Sequence, residues 1–288
     1  MSTKEPFQVA GVDGCKAGWF VVVTSGVKTG SRQNARCFFT IQNSFVAPAF
    51  AEVLSKTSGC RLVCVDIPIG LSHGAAPRQC DVAARRLLGK PRATSIFPPP
   101  IRQCLAAKET ETASEICFRH SGKKLNRQSF FIMNKIRQVD EAITSQLQRR
   151  VREIHPEISF RALNGGKAMQ QPKRKLAGRK ERAKLLSLIL PDVQELLAVA
   201  RKPGEVAADD ILNALVAAWT AGKAVIGRAT TLPSEAERDR KGLRMEILYP
   251  QHTSVWPTAE SRWTMRELAD TISPTVCGKR EVKNAGNR

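Results

Sequence analysis

The order of the first apolar runs constrains this chain more than any single motif. QVAGVD, GWFVVVT and RCFFTIQ are short and rich in β-branched and aromatic residues, and polar loops with glycine separate them. That composition predicts three strands. SFVAPAFAEVLSKT follows with helical spacing, placing Phe45, Phe50, Val53 and Leu54 on roughly one side. RLVCVDIPIG is then a continuous apolar strand ending in Pro-Ile-Gly. Three strands, a helix and a strand predict an antiparallel meander, with the helix crossing over to lay the fourth strand parallel to the first. In that arrangement Asp13 and Asp66 lie on neighbouring parallel strands and can face each other.

Further along, the pattern turns helical and polar. RQCDVAARRLLG is an amphipathic helix candidate, and PRATSIFPPP a stiff, extended loop. Residues from about 101 to 150 predict two or three helices as an insertion, the last covering SFFIMNKIRQVDEAITSQLQRR. VREIHPEISF predicts a strand, with Pro156 placing it at an edge or a bulge. NGGKAMQQPKRKLAGRK reads as a basic loop, EVAADDILNALVAAWTAGKAV as a strongly apolar helix, and GLRMEILYP as a late strand. There is no internal repeat. The expected organisation is a disordered N-terminus over residues 1–7, one α/β domain over 8–250, and a C-terminal extension over 251–288 with a partly disordered tail.

Charge narrows the partners. The chain holds 46 Lys+Arg against 26 Asp+Glu, a net +20, and residues 119–184 alone carry 18 Lys+Arg against 5 Asp+Glu. Such an excess either keeps a protein soluble or favours a polyanion, nucleic acid before an anionic membrane surface. No stretch approaches the ~20 apolar residues of a membrane span, and MSTKEPFQ lacks the apolar region of a secretory signal. The eight cysteines include no CxxC pair, and Cys60 with Cys64 has no second pair at zinc-ligand spacing. A cytoplasmic protein with free thiols and no membrane contact is expected.

Against this basic background the acids stand out. Asp13 interrupts an apolar strand between Gly11 and Gly14, and Asp66 ends RLVCVD. Glu157 sits in a strand pattern behind His155, and Asp209 and Asp210 open an apolar helix. Each has an ordinary reading: a turn at GVDG, a cap before Pro68, a surface strand residue, or acids at the positive end of a helix dipole. Jointly they would repel one another at one sheet edge without cations, because a buried carboxylate costs several kcal/mol unless paired or bound. Mg²⁺ or Mn²⁺ relieves that repulsion through oxygen ligands. Two such ions activate water and stabilise the leaving oxygen at a phosphodiester. The candidate metal ligands are therefore Asp13, Asp66, Glu157, Asp209 and Asp210, with Asp13, Asp66, Glu157 and Asp210 as the catalytic set. Gly11, Gly14 and Gly18 would leave room for a phosphate, and Lys16 is a candidate contact for it. Lys135 is either another contact or a solvated helix lysine. Lys173, Arg174 and Lys175 extend the basic surface. His155 is either structural or an acid/base.

GVDGCKAGW, VDIPIGL with RQCDVAARRLLG behind it, SIFPPP, NKIRQVDE, VREIHPEISFRALNG and ADDILNAL resemble the successive blocks of one family. It is the domain-of-unknown-function family numbered 429, described as predicted nucleases, and the resemblance runs from about residue 8 to residue 250. It implies an RNase H-like fold: a mixed sheet with a three-strand antiparallel meander and then parallel strands, helices on both faces, and here a helical basic insertion. By that resemblance Asp13 is the first-strand acid and Asp66 the acid after the crossover helix. Asp210 takes the first place of a late Asp-x-x-Asp, and Asn213 stands where its second acid would be. Glu157 belongs to the HPE block. The implied activity is metal-dependent hydrolysis of nucleic acid. Two rivals share the fold: a nucleic-acid-binding protein that has lost cleavage, and a nucleotide-dependent kinase- or ATPase-like enzyme using the Asp-x-Gly loop.

Overall fold

In a computed structural model of the chain, residues 6–29, 36–199 and 204–251 are described. Strands β1 (Pro6–Cys15) and β2 (Gly18–Thr29) pair antiparallel from Pro6 opposite Val27 to Cys15 opposite Gly18. β3 (Arg36–Ala47) adds antiparallel to the far side of β2. The meander is present, but β3 runs on through Ser44–Ala47, which the helical spacing had claimed. Pro48 disfavours helical backbone in the residue before it, so α1 is confined to Phe50–Lys56. β4 (Leu62–Val65) then lies parallel to β1, Val9 opposite Leu62 and Val12 opposite Val65.

The insertion between β4 and the next strand holds α2 (Gln79–Leu88), α3 (Thr110–Ser121) and α4 (Arg127–Ala142). α4 starts at an Asn126 cap whose side chain accepts from the Ser129 N–H at 2.8 Å. It stops at Ala142, short of Arg150, and a 3-10 turn over Leu147–Arg149 follows. β5 (Val151–Glu153) pairs parallel to β4 and completes a five-stranded sheet in the order β3-β2-β1-β4-β5.

VREIHPEISF is not one strand. It ends at Glu153, and Pro156 opens α5 (Pro156–Leu163) from a His155 cap. Proline fits a first helical position because its missing N–H has no partner to lose there. Glu157 therefore rides on the first turn of a helix. The remaining elements are α6 (Leu176–Leu186), α7 (Val193–Val199), α8 (Ala208–Val225) and an antiparallel hairpin of β6 (Ala229–Leu232) and β7 (Ile247–Pro250). Residues 1–5 of the expected N-terminal tail, and residues 252–288 of the expected extension, lie outside the described residues.

Strand alternation divides the sheet between two helical layers. Ala10, Val12, Val21, Val63 and Val65 pack with Phe50 and Val53 of α1 and with Met133, Ile136 and Val139 of α4. Gly11 points the other way, onto α8. A Cβ there would stand 2.0 Å from the Ala214 carbonyl oxygen and 2.2 Å from the Ala218 nitrogen, so helix backbone rests directly on strand backbone. Six cysteines, Cys15, Cys60, Cys64, Cys80, Cys104 and Cys117, are free and buried. Among the described residues no helix is long and apolar enough to cross a membrane.

Candidate functional site

Asp13 and Asp66 stand one residue past Val12 and Val65, the last pair in the β1–β4 register, and the Asp66 N–H donates to the Val12 oxygen at 3.0 Å. The alternation that turns Gly11 onto α8 turns Asp13 the same way. Asn213 of α8 donates through Nδ2 to Asp13 Oδ2 at 3.0 Å, and the Gly14 N–H to Oδ1 at 2.8 Å. Asp13 is only 7% exposed. Burial, then the charges of Asp66 and Asp210, push its carboxyl well above the usual range, against Lys173 and the Asn213 hydrogen bond. Asp66 is raised to about 6 by burial, with Glu157 and Asp210 adding to it and Lys173 opposing.

Asp210 reaches this group because the start of α8 lies over the strand ends. Its Oδ2 accepts from the Ala207 N–H at 2.9 Å and closes the helix N-terminus. Three residues on, Asn213 shares its side of the helix. Burial raises Asp210 to about 6; the Ala207 bond opposes this, and the charge of neighbouring Asp209 adds to it. Glu157, 4% exposed, receives Arg182 Nη2 on Oε1 at 2.6 Å. Its Oε2 and the Oδ1 of Asn213 are buried without partners.

One cation shares the space of these acids. Lys173 is half-buried, and although burial pulls its ammonium down, the charges of Asp66, Asp13, Asp209 and Glu157 outweigh this and hold its pKa above the usual lysine value. Beside it His155 is lowered to about 4, by burial first and Lys173 second, and is a neutral imidazole. Among the described residues no group of three or more His, Cys, Asp or Glu side chains is placed to hold a metal ion. The acids share a field and a lysine. Their polar atoms are oxygens of the kind that hard divalent ions prefer, and two of them, Glu157 Oε2 and Asn213 Oδ1, are unpartnered.

The sequence matches the family described as "Protein of unknown function (DUF429)" over residues 11–238. The chain belongs to the DUF429 family. Neither the curated proteins nor the solved structures offer a match to it.

In this DUF429 protein the sheet, α5 and α8 thus bring Asp13, Asp66, Glu157, Asp209 and Asp210 into one electrostatic neighbourhood. The basic candidates divide. Lys16, Arg174 and Lys175 are exposed. Lys135 is not solvated: its Nζ donates to the Gly18 oxygen at 2.6 Å and lies 5.0 Å from the centre of the Trp19 ring. Nor do the glycines leave space for a phosphate. α8 backbone fills the place beside Gly11, and a Cβ on Gly14 would meet Lys135 Cδ at 2.6 Å.

Two arginines escaped the sequence reading. Arg182 lies in GRKERAK, where charge is too uniform for any periodicity to single it out. Arg78 is fully buried, paired with Glu153 and Asp81, and donates to the Gly70 oxygen at 3.0 Å. Glu153 also accepts from the Ile69 N–H at 2.7 Å, so this pair fixes the turn that leaves Asp66.

Proposed function

We propose that this protein is a metal-dependent phosphodiester hydrolase acting on nucleic acid, on a sheet of the RNase H-like kind. The observation that carries the reading is the gathering of buried acids where the start of α8 meets the ends of β1 and β4: burial first, and neighbouring acids after it, raise the carboxyls of Asp13, Asp66 and Asp210, with Lys173 opposing. Asp13 and Asp66 would hold a divalent ion, with Asp210 and the free Oδ1 of Asn213 on the α8 side and Glu157 beyond. When bound, that ion supplies charge stabilisation at the phosphate and a more acidic water. The protein's own part is to hold the acids still: Asn213 and the Gly14 N–H orient Asp13, the Ala207 N–H orients Asp210, and Arg182 orients Glu157. The exposed Lys16, Arg174 and Lys175 would meet the polyanion outside.

A second reading, a nucleic-acid-binding protein without cleavage, is favoured by two observations. Asn213 brings no charge to the position beside Asp13, and Lys173 already supplies a positive one. A nucleotide-dependent enzyme has less support, since phosphates approaching GVDG would meet α8 and Lys135. Calorimetry with Mn²⁺ on the protein and on Asp13→Asn, run beside cleavage of labelled DNA and RNA, separates the readings. Binding and cleavage both lost in the variant support the hydrolase. Nucleic-acid binding with neither Mn²⁺ uptake nor cleavage favours the second reading.

A further inference from the structure

The connection between α3 and α4 carries charge of one sign. Residues 118–131 include Arg119, Lys123, Lys124 and Arg127 and neither Asp nor Glu. All four cations are exposed. So are two phenyl rings, Phe118 on the last turn of α3 at 56% and Phe131 on the second turn of α4 at 66%. Other residues form the inward faces: Ala113 and Cys117 on α3, and Ser129, Met133 and Ile136 on α4. Phe131 lies two residues from both Ser129 and Met133, which puts it on the outer side of its helix. The backbone that presents the rings is held. The Ser121 hydroxyl donates to the Cys117 oxygen at 2.7 Å, and the Ser129 hydroxyl to the Pro98 oxygen at 2.6 Å.

Phe131 also belongs to a row. Arg127, Phe131 and Lys135 recur every four residues and share one face of α4. The Arg127 guanidinium lies 5.5 Å from the centre of the Phe131 ring, which stays exposed beneath it. Phe130, partly buried against the core, stands 6.5 Å from the same ring at a tilt of 60°. At the far end Lys135 donates to the Gly18 oxygen and covers Gly14, whose N–H holds Asp13. The row thus runs about 12 Å along the helix, from the basic connection to the neighbourhood of the acids.

A cationic surface with open rings suits a chain that offers phosphates and unpaired bases together. A duplex offers the charge, but its bases are stacked within it and cannot meet a ring. An anionic lipid surface rewards a broad apolar face, whereas Asn126, Gln128 and Asn134 are exposed on the same stretch. We propose that this surface docks single-stranded nucleic acid: bases stack on Phe118 and Phe131, the four cations meet phosphates, and the α4 row leads the strand toward Asp13. The assignment rests on the nucleic-acid partner of the reading above, and on neither a metal ion nor cleavage.

The probe is a labelled oligothymidylate of about 12 nucleotides beside a duplex of the same length, read by fluorescence anisotropy on the full chain in EDTA. Phe118→Leu with Phe131→Leu keeps the surface apolar and removes its stacking faces. A loss of at least ~10-fold on the single strand, with duplex affinity held within about twofold, supports the assignment. Equal losses on both, or none on the single strand, overturn it and leave metal-dependent hydrolysis standing. Lost sedimentation with phosphatidylserine vesicles, at unchanged single-strand affinity, gives the surface to a membrane and likewise overturns it. Lys123→Ala with Lys124→Ala, which leaves the rings in place, is expected to flatten the single-strand salt slope by about 1.4. An unchanged slope overturns the phosphate contacts. A parent chain that binds neither nucleic acid overturns this surface and the partner of the reading above together.

Discussion

Asp66 and Asp210 are each raised to about 6, so between about pH 4 and pH 6 the folded chain holds more protons than the unfolded one. Their contribution to stability is therefore greatest in acid and falls as pH rises through that window. His155, lowered to about 4, works in the opposite sense: its contribution is present above the ordinary histidine value of ~6.5 and is lost as pH falls towards 4. A comparison of parent with Asp66→Asn cancels the histidine. In the ion-free protein the substitution is expected to raise Tm at pH 8 by a few degrees, corresponding to on the order of 1–2 kcal/mol, and to raise it by nothing at about pH 4. Scanning calorimetry at the two pH values checks this. Asn213→Asp is the complementary change. It replaces the donor to Asp13 with a like charge, so the ion-free protein is expected to lose about 1–2 kcal/mol at pH 8 in urea melts. Mn²⁺ affinity, read by calorimetry, is expected to rise about tenfold.

At the scale of elements, the site depends on how closely α8 lies on β1. Gly11→Ala forces a methyl into the Ala214 carbonyl, with backbone on both sides and nothing free to move. The expected cost is about 3 kcal/mol in urea denaturation. Arg78→Met is expected to cost about 3–5 kcal/mol in the same measurement, since it leaves Glu153 and Asp81 buried without their cation. The order of strands around α1 was legible in the sequence, because a period of two beside a helical period is a strong local signal. Asp13 beside Asp66 followed from that order alone. Glu157 was misplaced because HPE between apolar residues fits a bulged strand as well as a proline-led helix. The glycines near Asp13 announced a close approach, but not that the approaching group is the chain's own α8 and Lys135.

Over the whole molecule, a chain of net +20 gathers Asp13, Asp66, Glu157, Asp209 and Asp210 into one neighbourhood. Duplex DNA is expected to bind with a steep salt dependence, log K falling with log salt at a slope of roughly −4 to −6. Replacing exposed Arg174 and Lys175 together by Ala is expected to flatten that slope by about 2, with Mn²⁺ uptake unchanged. Fluorescence anisotropy over a salt series reads both. The hydrogen bond from Asn213 to Asp13 joins positions 200 residues apart. On the ribosome, Asp13, Asp66 and Glu157 all emerge before α8 has been made, and contacts of such long sequence separation close late. A nascent chain thus carries Asp13, Asp66 and Glu157 without the acids of α8, and the site comes into being only when α8 settles onto Gly11. Assembly of the site is in this sense a record that folding has finished.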